Sequence, residues 1–147
     1  MEEIMSEQGT SQSGGCLCGA VRYRINGPLR DVVNCHCSLC QKLHGCYGAH
    51  SKAEKKHIEI TRDSGLQWYQ TSDIARRGFC SVCGSSLFWE PFEQEATGIV
   101  AGSLDAPTGL KTIGHIFVGG KSDFYEITDA CPQFLESSQG ELAGDYK

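Results

Sequence analysis

The sequence predicts a mainly β domain with little helix, and three observations support this. Apolar and polar residues alternate over several short segments, which is the two-residue period of a half-buried strand. Eighteen glycines among 147 residues allow many tight turns. Nine cysteines, most of them closely grouped, indicate disulfides, metal or redox chemistry.

The clearest strand pattern lies at residues 20–25. Val21, Tyr23 and Ile25 share one face there, and two arginines share the other. One short helix is expected over residues 39–43, with Ser38 placed to cap it. Further strands are expected at residues 57–61, 66–71, 86–90, 98–102 and 115–118.

The two ends of the chain are polar and small in composition. We therefore predict a disordered lead-in at residues 1–13 and a polar tail at residues 136–147. Residues 14–135 remain for one domain, because 147 residues leave room for only one of ordinary size.

The charge balance and the N-terminal segment bear on partners and location. Thirteen Lys+Arg against 18 Asp+Glu give a net charge of −5, which disfavours nucleic-acid binding. The first 15 residues lack the basic and apolar regions of a secretory signal, and no apolar run is long enough for a membrane helix. We expect a cytoplasmic protein without a membrane segment. Disulfides are rare in that reducing compartment, so metal is the preferred explanation of the cysteines.

Two cysteine pairs lie far apart in the sequence, and each is followed by glycine. Cys16 and Cys18 have the i, i+2 spacing that places both sulfurs on one side of a strand. Cys80 and Cys83 form a C-x-x-C turn that can curl around one ion. Together they supply the four thiolates of a structural zinc site. Buried thiols that merely pack are the alternative, but packing does not need paired spacing.

A third group, Cys35, Cys37 and Cys40, provides three thiolates within six residues. Three protein ligands with an open fourth position are typical of a catalytic zinc. A redox C-x-x-C at Cys37 and Cys40 is weakly supported, since no βαβ pattern surrounds it. A closed second structural site is the other alternative, with its fourth ligand from Cys46, His44 or His50.

Other side chains near these motifs are candidates for catalysis and binding. An anionic thiol would need cationic contacts, and two aromatic pairs could wall a pocket, although one member of each pair should face the core. Cys131 has no predicted role. The candidates for proton transfer are His36, His44 and His50, whereas His57 and His115 are expected to be structural. The candidate cations are Lys42, Arg76 and Arg77. The aromatic pairs are Trp68 with Tyr69 and Phe88 with Trp89.

Three cysteine motifs, at residues 15–23, 35–40 and 78–84, together with the segments 102–105 and 115–118, resemble the glutathione-dependent formaldehyde-activating enzyme family. Centromere protein V shares this domain. The resemblance covers residues 14–135 and implies a β-tent of coiled antiparallel sheets stapled by zinc. It also implies two zinc ions per chain, a structural one on Cys16, Cys18, Cys80 and Cys83 and a catalytic one on Cys35, Cys37 and Cys40.

The resemblance further implies carbon–sulfur lyase chemistry on a thiol adduct such as S-hydroxymethylglutathione, with glutathione as the small-molecule partner. Two other functions stay open at this point. One is a non-catalytic zinc-binding module that contacts another protein. The other is a zinc-dependent isomerase or lyase acting on a different small metabolite.

Overall fold

The computed structural model describes residues 11–142, which form ten strands in two sheets and a single α-helix. The predicted mainly β fold with little helix is confirmed. Short 3-10 turns occur at Lys55–His57, Ala101–Ser103 and Val118–Gly120. The strands are β1 (Ser11–Gly15), β2 (Val21–Asn26), β3 (Val32–Cys35), β4 (Gly48–Glu54), β5 (Ile58–Asp63), β6 (Leu66–Gln70), β7 (Ala75–Cys80), β8 (Ser86–Pro91), β9 (Ala96–Val100) and β10 (Thr112–Ile116), and the helix is α1 (Ser38–His44).

The smaller sheet is antiparallel and has the strand order β1-β2-β5. Its central strand β2 carries the alternation seen in the sequence. Val21, Tyr23 and Ile25 are buried, whereas Arg22 and Arg24 face outward in ion pairs with Asp105 and Glu59. The buried face of β2 is one half of the hydrophobic core.

The larger sheet has the order β10-β3-β4-β9-β8-β7-β6 and supplies the other half of the core, notably Leu87, Phe88 and Ile99. Its ladders are antiparallel except that of β10 with β3, which is parallel. That pairing places β10, the last strand within residues 11–142, beside the segment that carries Cys35.

The strand register divides the larger sheet into two unlike faces. Lys52 pairs with Gly98, Gly98 with Trp89, and Trp89 with Arg77. Directly paired residues project from the same face, so these residues form one row across four strands. The neighbouring row, which includes Ser51, Ile99 and Phe88, is buried in the core. The Lys52–Arg77 row is therefore on the face away from the core.

Four strands were not predicted from the sequence: β1, β3, β4 and β7. Helix α1 was predicted, but its N-cap is Cys37 rather than Ser38. Two predicted strands end two residues earlier than expected, at Val100 and Ile116. A 3-10 turn follows β9 at Val100, and Phe117 has a φ of 55°, which a strand cannot continue through.

The predicted domain ends differ from the structure on both sides. Residues 11–13 belong to β1 rather than to a disordered lead-in. In the predicted tail, Leu142 is buried and its side chain packs against the backbone of Gly114. The remaining parts of the two predicted end segments, 1–10 and 143–147, lie outside the described residues. Within residues 11–142, no helix has the length and apolarity that crossing a membrane requires.

Candidate metal centres

The first cysteine group lies where the two sheets meet. Cys16 and Cys18 occupy the turn between β1 and β2, while Cys80 ends β7 and Cys83 lies in the turn before β8. The four sulfurs all lie within 4.8 Å of one another. The Cys18 Sγ is 3.8 Å from the sulfurs of both Cys16 and Cys80. Thiolates at about 2.3 Å on a tetrahedron are about 3.8 Å apart, so this donor set fits a zinc ion.

Backbone geometry explains the glycine that follows each cysteine pair. Gly19 has a φ of 87° and Gly84 a φ of 83°, values that favour glycine strongly. The two turns are also joined to each other, since the Leu17 N–H donates to the Ser85 hydroxyl over 3.0 Å. Hydrogen bonds from Ser85 lower the pKa of Cys83 to about 5, which favours the thiolate that a metal needs.

The second group, Cys35, Cys37 and Cys40, lies at the end of β3 and the start of α1. All three sulfurs lie within 4.8 Å of one another. The Cys37 sulfur caps the helix by accepting from the Cys40 N–H over 3.5 Å. Hydrogen bonds from the Cys35 and Cys40 thiols lower the pKa of Cys37 to about 2, and the same contacts raise the pKa of Cys35. Hydrogen bonding among the three thiols therefore favours a thiolate in this cluster.

The fourth position of this cluster has no ligand from the described residues. No other histidine, cysteine, aspartate or glutamate in residues 11–142 places a donor atom within 4.8 Å of all three sulfurs. The candidates Cys46, His44 and His50 are therefore not brought into the cluster, and Cys131 lies outside both groups. Three soft thiolates and a free side fit a zinc ion that keeps a position for an outside ligand.

A cavity of about 670 Å³ opens beside the three thiolates. It lies on the sheet face that carries the Lys52–Arg77 row, and Cys35, Cys37 and Cys40 are all in its wall. Three basic side chains and one acidic side chain line it, namely Arg30, Lys52, Arg77 and Asp73. The surroundings of the cluster therefore suit a small molecule that carries negative charge.

Of the three cations that line this cavity, Arg77 and Lys52 are partly exposed, whereas Arg30 is buried. The Arg77 Nη2 donates to the Cys40 sulfur over 3.8 Å, and its Nε is buried without a partner in the described chain. Lys52 is half-buried, and burial, with the charge of Arg30 nearby, lowers its pKa. Among residues 11–142, no carboxylate lies within ion-pair distance of Lys52. Of the predicted cations, only Arg77 lies beside the thiolates.

The three histidines predicted for proton transfer do not line the same cavity, although the rings of His44 and His50 are in edge contact, with centroids 5.5 Å apart. His50 lines the cavity, His44 lines a second and smaller cavity, and His36 lines neither. The His50 Nδ1 lies 3.2 Å from the Gly48 carbonyl, which can only accept, so Nδ1 carries the proton and Nε2 the lone pair. Burial, reinforced by His44 and Arg77, lowers the pKa of His50 to about 3 and keeps the ring neutral.

The other predicted contacts lie away from the three thiolates. Arg76 pairs with Glu90 over 2.6 Å and stacks on Trp68, and Lys42 is exposed beside the second cavity. Trp68 and Phe88 stack on each other, while Trp89 lines the main cavity and Tyr69 is exposed. One member of each aromatic pair thus packs inward, as predicted. Lys52 was not predicted from the sequence, because β4 has no apolar alternation that would place Lys52 on one face with His50.

The domain model of the glutathione-dependent formaldehyde-activating enzyme family matches residues 11–120 of this chain, including all seven clustered cysteines. The chain belongs to this family. The family match agrees with the resemblance seen in the cysteine motifs.

Relatives of this family member are moderately similar in sequence. A Halomonas elongata protein named for the same family is 29% identical over 125 residues, which cover 78% of this chain and 79% of the relative. An uncharacterized lyase of Schizosaccharomyces pombe is 29% identical over 77 residues, covering 52% of this chain and 55% of the lyase. The crystal structure of a Rhodobacter sphaeroides protein aligns with a TM-score of 0.55 and 26% identity, over 68% of this chain and 97% of that one.

Proposed function

We propose that this protein is a zinc-dependent carbon–sulfur lyase that acts on a thiol adduct of the S-hydroxymethylglutathione type. The observation that carries the proposal is the free side of the Cys35, Cys37 and Cys40 cluster, which lies in the wall of the 670 Å³ cavity. Membership of the formaldehyde-activating family and the lyase name of a relative support the same class of reaction.

The three cysteines would hold the catalytic zinc, and the four-cysteine group would hold a structural one. A zinc ion on three thiolates would supply a soft ligand position that favours the thiolate form of a substrate sulfur. The protein residues supply the rest. They bind the charged parts of the substrate, place its carbon in the cavity and accept or return one proton.

In the cleavage direction, the hydroxyl proton of the adduct passes to a base as the carbon–oxygen bond becomes a carbonyl. The carbon–sulfur bond breaks, its electron pair stays on sulfur, and the products are an aldehyde and a thiol. We assign the base to His50, the one predicted proton-transfer histidine that lines the cavity, because its ring is neutral and its Nε2 bears the lone pair. The Nε2 is buried without a hydrogen-bond partner in the described chain, so the ring would have to turn toward the cavity to accept the proton. Addition of a thiol to an aldehyde is the reverse of these steps.

Lys52 and Arg77 would hold the anionic groups of the substrate. Both lie in the row on the cavity face of the sheet, on the two sides of Gly98 and Trp89. Gly98 leaves the floor of the cavity open between them, and a Cβ there would come within 3.3 Å of the Trp89 Cβ. A substrate carboxylate could reach either cation while the sulfur lies at the three cysteines.

The test is an activity screen of thiol–aldehyde adducts, with zinc content measured in the same sample. Glutathione with formaldehyde is the first pair, and a neutral thiol with the same aldehyde is the comparison. We expect two zinc ions per chain and turnover that disappears in Cys37→Ser. X-ray absorption that finds four protein sulfurs at every zinc would contradict the lyase and favour a non-catalytic zinc module.

A further inference from the structure

A hydrogen-bonded chain of four polar side chains passes through the residue between Cys35 and Cys37, and none of the four lines the cavity. It connects Asp129, His115, His36 and Tyr125. The Asp129 carboxylate is 3.0 Å from the His115 Nε2, and the His115 Nδ1 is 3.0 Å from the His36 Nε2. The His36 Nδ1 bonds to the Tyr125 hydroxyl, and these two rings stack. Both histidines are almost fully buried.

The direction of each bond in this chain follows from its outer end. A carboxylate can only accept, so Asp129 fixes the proton of His115 on Nε2. When His115 is neutral, its Nδ1 accepts from the His36 Nε2–H, which leaves the His36 Nδ1 as an acceptor for the Tyr125 hydroxyl. The same hydroxyl also lies 3.5 Å from the Cys46 carbonyl, a longer contact than the one with His36. One exposed carboxylate thus sets the tautomer of two buried rings, and no group in the chain is left without a partner.

The backbone of His36 is held as firmly as its ring. Its N–H donates to the Ile116 carbonyl on β10 over 3.0 Å, and its carbonyl accepts from the Gln41 Nε2 over 2.9 Å. Gln41 in turn donates to the Gly120 carbonyl and accepts from the Ser122 hydroxyl. All four polar groups of His36 are therefore bonded, and the residue lies between Cys35 and Cys37.

From this arrangement we infer that His36 is a positioning residue, which holds two of the three sulfurs in place for a metal ion through the chain that ends at Asp129. The inference rests on the proposed metal role of the three cysteines. A residue fixed at both backbone groups and at both ring atoms leaves its neighbours little freedom, so their sulfurs converge before an ion arrives. Outer residues that orient ligands in this way contribute about 10–100-fold to metal affinity.

The test uses the full chain loaded with ¹¹³Cd²⁺ and compares Tyr125→Phe, Asp129→Ala and His36→Gln with Glu126→Gln. Glu126 is an exposed acid in the same segment, outside the hydrogen-bonded chain. Cadmium NMR resolves the two sites, and Cys37→Ser identifies the resonance of the three-cysteine site. We expect that resonance alone to shift, and chelators to remove that ion about 10–100-fold more readily. Asp129→Asn, whose side-chain oxygen can still accept, should recover most of the affinity.

Two outcomes would overturn the inference alone. One is a three-cysteine resonance in Tyr125→Phe and Asp129→Ala that matches Glu126→Gln. The other is an equal change in cadmium affinity at both sites, which would mean that the four hydrogen-bonded side chains stabilise the whole fold. These two variants decide the question even where His36→Gln does not fold. One cadmium ion per chain in the unaltered protein would overturn the metal role of the three cysteines, and the inference with it.

Discussion

The guanidinium Nη2 of Arg77 lies 3.8 Å from the sulfur of Cys40, on the cavity side of the larger sheet. Three thiolates and one divalent ion sum to a charge of −1, and Arg77 is the cation in contact with that charge. The neighbouring Arg76 projects from the opposite face, where it binds Glu90 and Trp68. The two arginines thus form a matched pair for mutation.

Arg77→Met is expected to weaken zinc retention at the three-cysteine site by about tenfold, since a charge-assisted hydrogen bond contributes about 1.5–3 kcal/mol. Competition with a chromophoric chelator measures the effect. Arg76→Met should change retention by less than twofold, because Arg76 contacts Glu90 and Trp68 rather than the three cysteines. Equal retention in the two variants would show that Arg77 does not act on the cluster.

Replacing ligands in the two cysteine groups should have different consequences. Cys80→Ala is expected to abolish the folded state, since a structural zinc contributes about 10–16 kcal/mol and whole domains are stable by about 5–15 kcal/mol. Cys37→Ala should stay folded and retain one zinc per chain, because its cluster lies at one sheet rather than between two. Circular dichroism and metal analysis on both variants measure this. Equal unfolding would contradict the division into structural and catalytic sites.

Lys52→Met should raise the KM for an anionic thiol adduct by about tenfold or more, since it removes one charge-assisted contact. The KM for an esterified, neutral adduct should change little, and kcat should be nearly constant for both. Lys52→Arg should keep most of the affinity. Lys56→Met is the control, because Lys56 is an exposed residue that pairs with Glu54. An equal rise in KM for charged and neutral adducts would argue for a packing defect.

Stability should fall as the pH falls below about 6.5. Burial lowers the pKa of His50 to about 3 and that of His36 to about 4, whereas both rings titrate near 6.5 in an unfolded chain. Above pH 6.5 they are neutral in both states and contribute nothing. Between pH 6.5 and the folded pKa only the unfolded chain takes up the proton, which lowers the free energy of unfolding by about 1 kcal/mol per pH unit for each ring.

His50→Leu should therefore have a shallower loss of stability between pH 6.5 and 5 than the unaltered protein. Urea unfolding at several pH values measures the slope. Both proteins have the same cysteines, so protonation of metal ligands affects them equally. Identical slopes would mean that His50 is not shielded as the structure indicates.

Spacing predicted which sulfurs converge within each cysteine motif, because an i, i+2 pair and a C-x-x-C turn fix their directions locally. The two distant pairs were joined by the four ligands that a structural zinc requires. The alternation of Val21, Tyr23 and Ile25 likewise predicted β2 and its buried face. What spacing cannot provide is the contact between distant segments. The hydrogen-bonded chain from Asp129 to Tyr125 includes His36 and Asp129, which are 93 positions apart in the sequence. No local pattern predicts such a chain.

Three of the unpredicted strands, β3, β4 and β7, carry cavity side chains, and β4 and β7 lack the alternation of a half-buried strand. In β4 the outward face carries His50 and Lys52, and the inward face carries the small buried Ser51 and Ala53. Neither face has the large apolar residues by which a half-buried strand is recognised. In β7, Arg77 lies on one face and Gly78 on the other, so the sequence of this strand also lacks large apolar residues at alternate positions. The site itself thus removes the signal that would have predicted its strands.

The parallel pairing of β10 with β3 has a consequence for synthesis of the protein. Six cysteines precede residue 80, so they leave the ribosome before the four-cysteine group is complete. The segment that fixes His36, from β10 to Asp129, is translated later still. Nascent chains therefore expose thiols before the later cysteines and the segment from β10 to Asp129 have been made. We expect zinc starvation during translation to yield oxidised, protease-sensitive chains rather than folded protein without metal.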